Sequence, residues 1–125
     1  MTLKALGQSG AQFEGLETFI KPSDLTSVDL KSDEVSALCP VTGQPDWYMV
    51  KVMYCPTTHC IESKTFKLYL QSFRNVGMFC EEFAARIARD CYEALDRTVP
   101  ILVEVTQKPR GGVSIVAKAA AGEED

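Results

Sequence analysis

The sequence predicts an α+β domain, an antiparallel sheet with two helices on one face. Three observations lead there. Two amphipathic stretches of helical period stand one after the other mid-chain, at residues 62–74 and 78–96. Runs rich in aromatic and β-branched residues flank them, at 47–54 and 60–62 before and at 101–106 and 113–117 after. Short turn signals join the strands at each end, so they pair as hairpins rather than through crossovers. The predicted order is β-β-α-α-β-β. A four-stranded sheet of this kind has two open edges, which oligomerisation would cover.

Composition sets the outer bounds. The chain has 125 residues, 46% hydrophobic and 24% charged, and is expected to form one soluble domain with a single core. That domain is expected to span 1–118, with 1–32 as an N-terminal arm and 119–125 as a disordered tail. The net charge of −4 argues against a dedicated nucleic-acid binder, although a local patch can still meet a polyanion. No apolar run approaches the length of a membrane span, and residues 1–15 carry no signal-peptide pattern. The five cysteines are an odd number and point to a reducing cytoplasm with at least one functional or free thiol.

Along the chain, residues 1–32 show no strong period. Gly7, Gly10 and Gly15 interrupt the segment, and a short edge strand fits only around Phe19–Ile20. Then comes Leu38-Cys39-Pro40-Val41-Thr42-Gly43-Gln44-Pro45-Asp46, a proline-stiffened, non-helical loop. Residues 47–54 read as a strand, Pro56-Thr57-Thr58 as a turn, and 60–62 as a short strand entering the first helix. That helix has Ser63 as its expected N-cap and Gly77 just beyond its end. Phe66, Tyr69, Leu70 and Phe73 fill one sector, while Lys64, Lys67, Gln71 and Arg74 line the other. In the second helix Phe79, Phe83, Ile87, Cys91 and Leu95 form an i, i+4 stripe widened by alanines. Glu81 and Glu82 in its first turn and Arg97 at its end suit the helix dipole. Lys108-Pro109-Arg110-Gly111-Gly112 is the turn between the last two strands.

Four places carry candidate chemistry. Cys39 sits in the stiff loop rather than in an apolar stripe, with Asp46 seven positions on. A thiol near an acid or base is what covalent catalysis needs. Cys55, His59 and Cys60 cluster, but the Cys-x3-His-Cys spacing lacks the Cys-x2-Cys pair of ordinary zinc sites, so no metal is expected. Glu81 follows the first helix closely enough to share a pocket with Glu62, and a carboxylate can accept two parallel hydrogen bonds from a guanine-like edge. The cationic strip of Lys64, Lys67 and Arg74 carries no anion, which suits phosphate as well as it suits solvent.

Taken together, these residues closely resemble the 7-cyano-7-deazaguanine reductases of queuosine biosynthesis, the QueF family, in their short single-domain form. Three segments carry the resemblance: Cys39-Pro40-Val41-Thr42-Gly43-Gln44-Pro45-Asp46, the long stretch from Glu62 through Lys64, Lys67 and Arg74 to Asn75, and Pro109-Arg110-Gly111-Gly112. It implies the tunnelling fold, shared with GTP cyclohydrolase I and with the same element order. It further implies rings, as a homo-oligomeric decamer of two pentamers, with sites between subunits. The substrate implied is 7-cyano-7-deazaguanine and the cofactor NADPH, with no membrane and no direct nucleic-acid partner. Cys39 would add to the nitrile carbon as a thioimide, and Asp46 would supply the proton. Glu81 would hold the guanine-like edge, with Ile61, Glu62 and Ser63 lining the pocket. Lys64, Lys67, Arg74 and Arg110 would meet the cofactor.

One position departs from the pattern. The family has histidine immediately before its substrate glutamate, where this chain has Cys80. A thiol is a weaker hydrogen-bond partner and cannot become a cation. If Cys80 lines the same pocket as Cys39, the two thiols could also form a disulfide. The departure keeps two other readings open. One is a QueF-like amidinotransferase that transfers ammonia to a nitrile base within tRNA. The other is a non-catalytic ring protein that binds a purine-like ligand. The intact basic motif favours the reductase.

Overall fold

The computed structural model describes residues 13–122. Among them the order is β1 (Thr18–Ile20), β2 (Val28–Leu38), β3 (Pro45–Tyr54), β4 (His59–Ile61), α1 (Ser63–Gln71), α2 (Cys80–Ala94), β5 (Ile101–Arg110) and β6 (Val113–Ala121). The main sheet is antiparallel with strand order β2-β3-β5-β6, and β1 and β4 form a separate two-stranded sheet. The main sheet thus reproduces the predicted β-β-α-α-β-β order, with one change of partner. β3 pairs with β2, not with β4, which instead closes on β1 through Phe19↔Cys60.

β2 is the element the sequence hides. Its register with β3 shifts between Ser32 and Val35. Before the shift Val28, Leu30 and Ser32 turn inward, and after it Val35 and Ala37 do. A bulge changes the parity of the inward positions, so the period-2 signal cancels across the strand. The charged Lys31, Asp33 and Glu34 then give the segment the look of a loop.

The other strands extend further than expected. β5 runs on to Arg110, and β6 continues through residues 119–121, so the expected tail is a strand there. Residues 123–125 lie outside the described part. Gly111 and Gly112 both have positive φ, at +66° and +84°, as a two-residue hairpin loop of mirror-image type requires.

Both helices are shorter than the period suggests. α1 is capped by Glu62, whose carboxylate accepts from Lys64 N at 2.8 Å and Thr65 N at 2.7 Å. Ser63 is the first helical residue rather than the cap, because the longer Glu62 side chain reaches both orphan N–H groups. α1 ends at Gln71, which leaves Arg74 in the turn that follows. α2 starts at Cys80, so Phe79 is extended and half exposed instead of heading the apolar stripe. It ends before Asp96 and Arg97, both in left-handed backbone at φ 54° and 58°.

The core lies between the helices and one face of the sheet. Phe83, Ile87 and Cys91 of α2, Leu95 at its C-cap, and Phe66, Tyr69 and Leu70 of α1 share one core with Tyr48, Val50, Val52, Ile101, Val103 and Val105. Both helices therefore cover the same face. On the opposite face Trp47, Met49, Leu102 and Val116 are all exposed.

Candidate active site

The β2–β3 hairpin builds the first part of the site. Cys39 N donates to Gln44 O at 2.8 Å, and Gly43 N donates to Cys39 O at 2.9 Å. Gly43 has φ +72°, a left-handed turn that glycine adopts without strain. The hairpin is tied to the approach of α2, where Leu38 N donates to Val76 O and Met78 N donates to Leu38 O. The loop is therefore held at both ends.

This frame activates the thiol. The Cys39 thiol is lowered from 9.0 to about 7, first by the Thr42 hydroxyl, then by the N–H groups of Thr42 and Val41, with Arg110 adding to them. Burial acts the other way at Cys60, Cys80 and Cys91, whose thiols are pushed up, Cys91 to about 12. Cys39 is thus a partly exposed thiol that is substantially thiolate near neutral pH.

Asp46 follows at the start of β3, with its side chain buried on the helix side. Arg110 reaches across from the β5–β6 hairpin. Its Nη1 lies 3.3 Å from Asp46 Oδ1 and donates to Gln44 Oε1 at 3.3 Å. The sequence assigned Arg110 to the cofactor with the three helix cations. The structure sets it against Asp46, because β5 is long enough to carry it to the hairpin tip.

Glu81 stands exposed in the first turn of α2, at this same end of the sheet. Its neighbour Cys80 turns inward. It is 1% exposed, and its thiol donates to Val105 O at 3.5 Å. Cys80 thus packs between α2 and β5, and the structure holds it and Cys39 as free thiols.

Ile61, Glu62 and Ser63 are elsewhere. They lie at the junction of β4 and α1, where Ile61 N donates to Tyr54 Oη at 2.8 Å. Tyr54 is the last residue of β3 and Pro45 the first. At about 3.3 Å per residue, the strand separates the two groups by about 30 Å. Glu62 and Glu81 therefore do not share a pocket within one chain.

The cationic strip lies along α1 between these ends. Lys67 and Gln71 rim a groove of about 270 Å³ between α1 and β2, to which β2 adds Lys31 and the opposite charge of Glu34. Lys67 and Arg74 are exposed and Lys64 half-buried. Such a donor set fits the phosphates of a dinucleotide, with Arg110 standing apart from it. Among the described residues no group of three or more His, Cys, Asp or Glu could hold a metal ion. The His59 ring pairs with the neighbouring Thr58 Oγ1.

Two residues that matter here were missed in the sequence. The Thr42 hydroxyl is the largest cause of the lowered Cys39 thiol, and Tyr48 lies two residues beyond Asp46 on the same strand face. The period of β3 could have flagged Tyr48 as a neighbour of Asp46.

Comparison with known proteins decides the family. The model of the family described as QueF-like protein matches residues 45–125. The chain belongs to the QueF-like family. A relative from Frankia casuarinae, named NADPH-dependent 7-cyano-7-deazaguanine reductase, is 39% identical over 122 residues and covers 95% of each chain. A relative of the same name from Syntrophobacter fumaroxidans is 40% identical over 110 residues, covering 86% of this chain and 70% of its own. Among solved structures, the archaeosine synthase QueF-Like in its apo form matches with a TM-score of 0.65 and 25% identity, over 80% of this chain and 97% of that one. The QueF-like assignment agrees with the α+β tunnelling fold. No helix among the described residues is long and apolar enough to cross a membrane.

Proposed function

We propose that this chain reduces the nitrile of 7-cyano-7-deazaguanine to the aminomethyl group with NADPH, in the cytoplasmic synthesis of queuosine for tRNA. The observation that carries the reading is the Cys39 thiol, lowered to about 7 beside Asp46 and Arg110. Its near end-to-end similarity to the Frankia reductase supports the same reaction.

The chemistry follows from the residues. Cys39 thiolate attacks the nitrile carbon, a C–S bond forms, and the nitrile nitrogen takes a proton from Asp46, giving a thioimide. NADPH supplies hydride, and two hydrides with a second proton taken up from solvent carry the nitrile to the amine. When the C–S bond breaks, the electron pair returns to Cys39 sulfur as thiolate. The Thr42 hydroxyl and the loop N–H groups favour that anion, which makes it a good leaving group. The exposed Glu81 carboxylate binds the guanine-like edge. Lys64, Lys67 and Arg74 hold cofactor phosphates along α1.

A complete site takes two protomers in this reading. Cys39, Asp46 and Glu81 come from one, and Ile61, Glu62 and Ser63 from its neighbour. The separation of about 30 Å along β3 supports this. So does the exposed apolar sheet face with Trp47 and Met49 each about half exposed, which an assembly such as a decameric ring would cover.

The test is direct. Protein, 7-cyano-7-deazaguanine and NADPH are mixed and cofactor absorbance is followed, with Cys39→Ala as control. Consumption that vanishes in the variant is expected, and no consumption by the wild type overturns the reading. The structural match to an archaeosine synthase favours one second reading, ammonia transfer to the nitrile base in tRNA. That enzyme would form the Cys39 adduct without consuming NADPH.

A further inference from the structure

The start of α1 is held by more than its cap. Glu62 N donates to Glu17 O at 2.8 Å, and Glu17 N donates to Thr65 Oγ1 at 3.1 Å. The Thr65 hydroxyl donates in turn to Glu62 O at 3.0 Å. Together these bonds close a ring between the chain just before β1 and the first turn of α1. The Thr65 hydroxyl is its node, since it both donates and accepts, and the residue is 2% exposed. Valine has the same shape and a similar helix propensity, so neither packing nor helix formation asks for a hydroxyl here.

The ring encloses the stretch that this end of the protomer offers to the proposed pocket. Ile61 and Glu62 are buried, and Ser63 is exposed. Both Glu62 carboxylate oxygens accept from the N–H groups of Lys64 and Thr65. The Glu62 side chain is therefore spent on the cap, and what faces a ligand is the Ser63 side chain with the backbone beside it. Such groups read a polar edge well only when their direction is fixed beforehand. β1 fixes one side of Ser63, because Thr18 pairs with Ile61. The bond from Glu17 N to Thr65 fixes the other side, across 48 positions of sequence. Ser63 thus lies between two anchors, and both belong to the N-terminal arm.

We propose that Thr65 is a positioning residue for the substrate pocket, its hydroxyl tying the N-terminal arm to α1 so that Ser63 and its backbone meet the base at a fixed angle. The inference rests on the reading of Ile61, Glu62 and Ser63 as pocket wall given above. Wild type, Thr65→Val and Thr65→Ser are compared by NADPH oxidation with 7-cyano-7-deazaguanine, by thermal unfolding and by the pH profile of Cys39 alkylation. Thr65→Val should raise KM for the base about five- to tenfold with kcat nearly unchanged, the mark of binding lost equally from ground and transition states. Thr65→Ser keeps the hydroxyl and should keep the wild-type KM. The Cys39 profile is set by its own loop and should stay unchanged in both. If the valine variant does not fold, Thr65→Ala carries the same expectation, and a raised KM in Thr65→Ser overturns the inference whichever of the two folds. An unchanged KM in a folded variant without the hydroxyl, even with a lower Tm, would make these bonds a matter of stability and overturn the inference alone. A shifted Cys39 profile would show a change spread through the protomer and overturn it too. No NADPH oxidation by the wild type would overturn the reductase reading, and this inference with it.

Discussion

Replacing Thr42 by valine should slow the reaction of Cys39 at acid pH and speed it at alkaline pH. The thiol is lowered from 9.0 to about 7, and the Thr42 hydroxyl is the largest cause. At pH 7 about half the protein then carries a thiolate, against about one molecule in a hundred for a thiol at 9.0. Thr42→Val leaves the loop N–H groups and Arg110 in place, so the thiol should return part of the way, to about 8. At pH 6 its thiolate fraction falls about tenfold. A more basic thiolate is also a better nucleophile, which recovers about threefold. The net result is alkylation about threefold slower at pH 6 and about threefold faster at pH 9.5, with the curves crossing between about pH 7 and 8. The assay is iodoacetamide alkylation from pH 5.5 to 9.5, read on the Cys39 peptide by mass spectrometry so that exposed Cys55 does not interfere. Thr42→Ser keeps the hydroxyl and should follow the wild type. Superimposed profiles for Thr42→Val and wild type would refute the reasoning, and so would a Thr42→Ser profile that matches the valine variant.

Other predictions address separate parts of the site. Asp46→Asn should still form the substrate complex but lose about 10²–10⁴-fold in turnover, measured by steady-state NADPH oxidation; an unchanged rate would make Asp46 a structural residue. Lys67→Ala or Arg74→Ala should raise KM for NADPH more than KM for the nitrile base, because charge-assisted bonds to phosphate are lost; equal KM values would leave the strip a solvated face. Glu62→Ala removes both capping bonds of α1 and should lower stability by about 0.5–2 kcal/mol in denaturant unfolding; unchanged stability would mean that water replaces the cap.

The sequence was most legible where its period was unbroken. The stripe of Phe83, Ile87, Cys91 and Leu95 is buried as the i, i+4 spacing requires. The inward positions of β3 alternate cleanly from Asp46 to Tyr54. Legibility failed at β2, where the bulge between Ser32 and Val35 reverses the alternation. It failed at the α1 cap because a buried glutamate did what serine was expected to do. It failed at Phe79, where a helix start two residues later than expected turns a core position outward. In the site, the motifs named Cys39, Asp46 and Glu81, and the fold brings all three to one end of the sheet. The partner of Arg110 was not readable, since the reach of β5 depends on a register that only the folded sheet defines. The inward turn of Cys80 was equally hidden, because its neighbour Val105 lies 25 positions away.

The proposed division of the site between two protomers gives the last prediction. Cys39 owes its low value to Thr42, Val41 and Arg110, all in its own chain. Alkylation of Cys39 should therefore not depend on assembly. In the two-protomer site proposed above turnover should depend on it, because Ile61, Glu62 and Ser63 lie about 30 Å of strand away and would come from a neighbour. The surface that would hold the neighbour is unusual for a solitary domain. Trp47, Met49, Leu102 and Val116 are 51%, 50%, 43% and 52% exposed on one sheet face, and β2 and β6 are the edge strands of the main sheet. Trp47→Glu places a charge in that face without touching Asp46, whose side chain points to the other side of β3. The variant should dissociate in analytical ultracentrifugation, keep the alkylation profile of Cys39 and lose NADPH oxidation. Full turnover by a dissociated, folded protomer would show that one chain holds a complete site. Loss of the alkylation profile together with turnover would show that assembly, and not the loop, sets the thiol.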